Sequence, residues 1–412
     1  MRVLIVEPDL TGHHLPYLRH LISAVAELNQ EAVVLTCAGA SHTPQFAIHL
    51  VDVAAKATWD ESLPADSRAQ QQTGMLVAEI LKAVKRHGID QVWEPYADFI
   101  TAYLGARRLS GRKIQWPAGV EAEGLFFRGI FAYPAASWKK RLRRFISRIL
   151  LPHANWEILH FLDPLPYELM REQHPKQAHR FRLMPDPIES VPQVEHDVAR
   201  ARLGIPTGGR FAGCMGVLYD QVGIDLLLRA FRRANLKPDD RLLLAGPMNE
   251  AVRNHVNSTY GDLLRAGRIV TIDRHLNLDD VMLAVMASDV VCIPNPFRMG
   301  SSSFVIRAAA ARRPVLADDF GWTGATVQRF GLGWCVDIWN ESDYAGALQT
   351  AIEQAAMKAF PPVAARFARF HLADNFKAHW TSRLRERLGL PQDPRLLTWE
   401  WVLDEPMAAP AG

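Results

Sequence analysis

Two hydrophobic periods alternate along the chain. Short, nearly continuous apolar runs recur, among them RVLIV (2–6), AVVLT (32–36), QVWEP (91–95) and KIQW (113–116). Their length and their Val, Ile and Trp content predict buried strands. Between the runs, apolar positions fall at three- and four-residue spacing. Leu15, Leu18, Ile22 and Val25 form one such face, and Leu76, Ile80 and Val84 form another within a helix expected over 68–87. A further helix is expected near 98–109. Strand, helix, strand in succession is the rhythm of a parallel, doubly wound α/β sheet. The pattern weakens between Ala118 and Trp138, where Gly, Pro and aromatic residues cluster. WEILHFLD (156–163) and RFRLMP (180–185) read as the last strands of this half.

A Pro-rich joint follows, from Pro185, Asp186 and Pro187 to Pro192, and then the rhythm restarts. A short helix is expected at ARARLGI (199–205). Strands are expected at FAGCMGVL (211–218), RLLLAG (241–246), RIVTI (268–272), DVVCI (289–293), VLA (315–317) and GWCVD (333–337), with helices at 222–235, 249–266, 277–287 and 341–358. The expected division is a first domain over 1–187, a second over 188–360, helices over 361–390 that cross back to the first domain, and a loosely held tail over 391–412.

Composition sets the outer limits. A chain of 412 residues exceeds what one core supports, so two domains are expected. Apolar content of 49% and charged content of 22% are those of an ordinary soluble protein. A net charge of +3 gives no argument for nucleic acid. Cys37, Cys214, Cys292 and Cys335 are scattered, with no Cys-x-x-Cys or Cys/His ligand spacing. Buried thiols in a reducing cytoplasm are therefore expected, rather than disulfides or a metal site. MRVLIVEP lacks the apolar region of a signal peptide, and no run reaches the roughly 18 apolar residues that span a bilayer.

Candidate chemistry concentrates in PNPFRMGSSSFVIRAAAARRPVLADDFGWTG (294–324). DVVCI ends a strand, Gly300-Ser301-Ser302-Ser303 offers a tight turn and several N-caps, and FVIRAAAARR is a helix closed by Pro314. A helix N-terminus at the carboxyl end of a parallel strand presents unpaired N–H groups, which suit an anion. Ser301, Ser302 and Ser303 either hold a phosphate there or form a solvated cap.

GVLYDQVGIDLLLRAF (216–231), RARLGIP (200–206), LLLAGP (242–247), SDVVCIPNP (288–296) and AAAARRPVLADDFG (308–321) occur in an order and spacing that resemble the donor domain of retaining GT-B glycosyltransferases of the family 4 type. RVLIVEPDLTGHHLPYL (2–18) resembles that family's first strand and glycine-bearing loop. The resemblance implies two Rossmann-like doubly wound domains facing an interdomain cleft, and a sugar-nucleotide donor at Gly216 and the Ser301–Ser303 turn. The chain departs from the family in four side chains. The Glu-x7-Glu pair is replaced by Met299 and Arg307. The diphosphate-binding Arg and Lys are replaced by Val217 and Val222. Arg274, Arg298 and Arg307 are candidates to replace the missing cations, since an Arg fork matches phosphate. Arg307 can alternatively pair with Asp318 or Asp319.

Thr11, Gly12, His13 and His14 follow the first strand, where a doubly wound sheet binds ligands. Gly12 permits close approach of a substrate, and His13 or His14 can take a proton from an acceptor hydroxyl or bond a phosphate. The alternative is that one His caps the next helix and the other is solvated. Glu94 and Asp98 flank another strand end, either facing the same cleft or serving as a strand-end charge and a helix cap.

SWKKRLRRFISRILL (137–151) is a basic amphipathic helix without an acid. Its apolar stripe either meets an anionic membrane or packs on the protein's own core. The patch is too short and isolated to favour nucleic acid. The function expected from the resemblance is transfer of a sugar from a nucleotide-diphosphate donor to a glycan or lipid-linked acceptor, in the cytoplasm or peripherally at the inner face of the membrane. No cofactor or metal is implied. The alternative is a catalytically silent GT-B homologue that binds a glycan or nucleotide as a partner protein. A sugar-nucleotide epimerase on the same architecture has no feature in its favour.

Overall fold

The computed structural model describes residues 1–9, 14–65, 73–127, 129–134, 137–190, 194–219, 221–296 and 299–404. The chain divides into two compact units. One comprises Met1–Pro187 and Ala373–Trp399, and the other comprises Ile188–Leu372 and the segment from Glu400.

The first unit is built on seven parallel strands: β1 (Arg2–Val6), β2 (Glu31–Cys37), β3 (Ala57–Leu63), β4 (Gln91–Glu94), β5 (Glu121–Phe126), β6 (Ile158–Phe161) and β7 (Phe181–Leu183). Their order is β3-β2-β1-β4-β5-β6-β7. β1 is central, with Leu4 facing Val33 of β2 and Val92 of β4. Both faces of the sheet are covered, which explains the continuous apolar runs. On one face Leu4, Val6 and Val92 meet Leu76, Ile80 and Val84 of helix Thr73–His87. On the other, Val3, Ile5 and Trp93 meet Leu18, Ile22 and Val25 of helix His14–Glu27 and Phe376, Trp380 and Leu384 of helix Ala373–Arg387. Each such side chain contributes about 1.5–3 kcal/mol on full burial.

Two strands of this sheet escape an apolar-run reading. β3 (ATWDESL) and β5 (EAEGLF) carry acids whose partners lie far away in sequence. Asp60 accepts from Arg86 and His87, Glu61 accepts from the backbone of Gly39 and Ser41, and Glu123 is bonded by Gln91 and His160. KIQW (113–116), expected as a strand, is instead an irregular connection outside the sheet. Asn155 pins it by donating to Ile114 O at 2.8 Å, while Trp116 donates to Asn155 O at 3.1 Å.

The second unit has six parallel strands: β8 (Phe211–Met215), β9 (Arg241–Ala245), β10 (Ile269–Ile272), β11 (Val290–Ile293), β12 (Val315–Asp318) and β13 (Gly333–Val336), in the order β10-β9-β8-β11-β12-β13. The helix expected over 249–266 is broken into Glu250–Thr259 and Gly261–Arg265. Buried Tyr260 leaves helical geometry between them, at φ −122° and ψ 20°. The tail expected to be loose is held at least as far as helix Glu400–Asp404. Val402 is buried, and its carbonyl accepts from Arg366 Nε at 2.9 Å. Among the described residues no helix is long and apolar enough to cross a membrane.

Candidate functional site

In a parallel doubly wound sheet, a ligand site forms at the carboxyl edge where two neighbouring strands send their connections opposite ways, because the loops part there. In the second unit this point lies between β8 and β11. β8 leads on to β9 and β10 on one side, and β11 to β12 and β13 on the other. The loop after β8 begins at Gly216, whose φ is +112° and whose nitrogen donates to Ala245 O at 2.9 Å. A Cβ at this position would lie 2.7 Å from the ring of Phe304, so the loop runs directly against the first turn of the helix that follows β11.

That helix is Ser303–Ala310. Gly300, at φ +90°, turns the chain into it, and the side chains of Ser301 and Ser302 are buried. Ser302 is the N-cap residue but makes no side-chain cap hydrogen bond. The first-turn N–H groups thus lack the partner that a capping serine supplies, at the positive end of the helix dipole. Val305, Ile306, Ala308 and Ala309 anchor the helix in the core, while half-buried Arg307 lies one turn beyond Ser303 on the same side. Gly216, Gly300, Ser301, Ser302, Ser303 and Arg307 therefore meet around one helix start. Arg274 does not join them. It follows β10, two strands from β8, is exposed, and donates to Asp280 at 2.7 Å. Arg298 lies outside the described residues. Val217 and Val222, standing where the resemblance expects cations, are 60% and 50% exposed.

The corresponding point of the first unit lies between β1 and β4. Glu7 directly follows β1 and is wholly buried, as is Glu94 at the end of β4. His14 opens its helix with the ring against Tyr96, at a centroid distance of 3.7 Å, and its Nδ1 lies 2.8 Å from Glu7 Oε1. Glu7 Oε1 also accepts from Asp9 N at 3.0 Å. Glu94 Oε1 accepts from Tyr96 N at 3.3 Å, and among the described residues Glu94 Oε2, which is buried, has no hydrogen-bond partner. Burial pushes the Glu7 carboxyl above its usual range and Glu94 well above, the latter with help from the negative charge of Glu7. Asp98 sits in the first turn of helix Asp98–Leu109, where its Oδ2 accepts from Phe127 N at 2.7 Å and ties that helix to the chain leaving β5. Gly12 and His13 lie outside the described residues. Glu7 was not singled out from sequence, although an acid placed directly after a buried apolar strand was the available signal.

The sequence matches no protein-family model and no curated protein. Similarity to solved structures is extensive. Sucrose-phosphate synthase from Thermosynechococcus elongatus aligns with a TM-score of 0.68 at 14% identity, over 94% of this chain and 99% of that one. HepE from Anabaena, in complex with UDP, aligns at 0.65 and 14% identity over 94% and 100%. WaaG, a glycosyltransferase of lipopolysaccharide biosynthesis, aligns at 0.61 and 14% identity over 94% and 99%. This chain has the GT-B fold. Its two Rossmann-like sheets, of seven and six strands, correspond to the paired units of GT-B glycosyltransferases. Both candidate clusters sit at the switch points of this GT-B chain.

Proposed function

We propose that this protein is a glycosyltransferase. It moves a sugar from a nucleotide-diphosphate donor, held by the second unit, to a hydroxyl of a glycan or lipid-linked saccharide held by the first. The observation that carries this reading is the helix start at the β8/β11 switch point. It lacks a side-chain cap, stands against the positive-φ Gly216 loop, and has Arg307 one turn away. The N–H groups of Ser303 to Val305 and the Arg307 guanidinium bind the diphosphate and stabilise the charge it gains as the sugar–phosphate bond breaks. At the first unit, Glu7 holds His14 through Nδ1. His14 takes the acceptor proton at Nε2 as the acceptor oxygen bonds to the anomeric carbon.

UDP, the ligand in the HepE structure, is the probe. Isothermal titration should show Ser302→Ala close to the parent, because backbone donors survive truncation. Ser302→Pro should bind far more weakly, because the ring's fixed φ does not fit the −130° of Ser302 and alters the turn that presents the N–H groups. Arg307→Ala should lose about 1.5–3 kcal/mol, with a smaller salt dependence than the parent. Equal affinity in the parent, Ser302→Pro and Arg307→Ala would sink the site.

The exposure of Val217 and Val222 favours a second reading, a catalytically silent GT-B protein that binds a nucleotide or glycan as a partner. It predicts the same UDP titrations but no hydrolysis of UDP-glucose and no transfer from it. Release of UDP, lost in His14→Ala, selects the enzyme.

A further inference from the structure

Helix Trp138–Leu150 is turned the opposite way to an ordinary amphipathic helix. Its apolar residues Trp138, Leu142, Phe145, Ile146 and Ile149 are 68%, 49%, 59%, 44% and 42% exposed. At 3.6 residues per turn they fall within an arc of about 100°. Arginine occupies the inner side. Arg144 is buried and donates to Tyr133 O, and Arg148 donates to Phe131 O through Nε at 3.1 Å and through its fork at 2.6 Å. Tyr133 in turn donates from its hydroxyl to buried Asp163, the N-cap of helix Pro164–Gln173. The far end is fixed by backbone approach. A Cβ on Gly105 would lie 2.1 Å from Leu150 O, so only a glycine in helix Asp98–Leu109 lets the two helices meet there.

Two of the six cations are thus consumed inside, and Lys139, Lys140, Arg141 and Arg143 remain exposed. By the same helical geometry Arg141 borders one side of the apolar arc, and Lys139 and Arg143 border the other. An apolar strip flanked by cations matches a surface with an anionic rim and an apolar interior. A second copy of this chain does not match, because the helix contains no acid and two such faces would repel.

We infer that the outer face of this helix docks on a bilayer rich in anionic phospholipid, its aromatic and aliphatic residues entering the acyl boundary and its flanking cations meeting the headgroups. The inner arginines position the face by holding the helix to backbone carbonyls. This rests on the exposed face alone and is independent of the transferase reading.

The experiment is co-sedimentation of the full chain with phosphatidylcholine vesicles, with and without phosphatidylglycerol. The parent should sediment only with the anionic vesicles, less so in high salt. The combined variant Lys139→Glu, Lys140→Glu, Arg141→Glu should lower the partition coefficient by more than about a hundredfold. Trp138→Ser with Phe145→Ser should lower it by about tenfold or more. All five side chains are exposed, so both variants should melt with the parent. A parent that fails to sediment, or variants that sediment like it, overturns the inference. So does a dimer in sedimentation velocity that the serine variant abolishes, since the face would then belong to a second copy.

Discussion

At the scale of residues, the buried acids of the first sheet set a measurable pH dependence. Glu123 is wholly buried between Gln91, which donates to it at 2.6 Å, and His160, whose Nε2 lies 2.9 Å away. Burial raises its pKa to about 8, against the opposing charges of Arg182 and Arg383, while burial lowers that of His160. At neutral pH both partners of this hydrogen bond are then uncharged. A carboxyl whose folded pKa lies above its unfolded value favours the fold below the unfolded value, and that contribution is lost as pH rises through the folded one. Glutamine reproduces the neutral acid without titrating. The stability of Glu123→Gln relative to the parent should therefore rise between pH 5 and pH 8, by about 1 kcal/mol per pH unit, and level off above. Urea unfolding across that range measures it, and a parallel pair of stability curves would refute the assignment. Acids like this one are misread from sequence because their type signals solvent, whereas their partners are supplied by neighbouring strands. Glu7 and Glu94 behave alike. Glu94 reads either as a cleft residue or as a strand-end charge and Glu7 was not singled out, and the fold places Glu7 Oε1 2.8 Å from His14 Nδ1 while Glu94 Oε1 accepts from Tyr96 N.

At the scale of elements, the helix start at Ser303 depends on a glycine more than eighty positions earlier. Gly216→Ala forces an L side chain into φ +112° and a methyl group into the Phe304 ring. It should destabilise the second unit by about 1–3 kcal/mol and weaken UDP binding, both readable by melting with and without UDP. Gly204→Ala serves as the control. It also has positive φ, +69°, but a Cβ there meets nothing within 4 Å, so it should cost stability without changing UDP affinity. The Ser301–Ser303 turn was legible because Gly, Ser and a closing Pro mark a strand–turn–helix. The approach of Gly216 to Phe304 in the helix that follows was not, since the two segments are brought together by the pairing of β8 with β11. The basic helix shows the same division. Periodicity revealed both of its faces, and the carbonyls of Phe131 and Tyr133 decided which face turned inward.

At the scale of the molecule, the chain returns to its first unit after building the second. Helix Ala373–Arg387 places Phe376, Trp380 and Leu384 on the first sheet, with the Trp380 ring 5.5 Å from Trp93 and 5.2 Å from His160. Trp380→Ala should cost the first unit about 3–5 kcal/mol. Urea unfolding should resolve this as a shift in the transition of one unit only. Movement of both transitions together would mean that the two units do not unfold separately.

Local sequence specified the α/β class and the repeated winding on either side of the Pro-rich joint. These follow from local properties: apolar runs long enough for buried strands, helical spacing between them, and turn residues at their ends. Tertiary structure alone decided that β5 carries a buried acid, that Glu7 pairs with His14, that Gly216 closes on Phe304, and that the stripe of helix Trp138–Leu150 faces outward. Each of these depends on a partner distant in sequence, and whether a charge is buried or an apolar face exposed is set by that partner rather than by the residue.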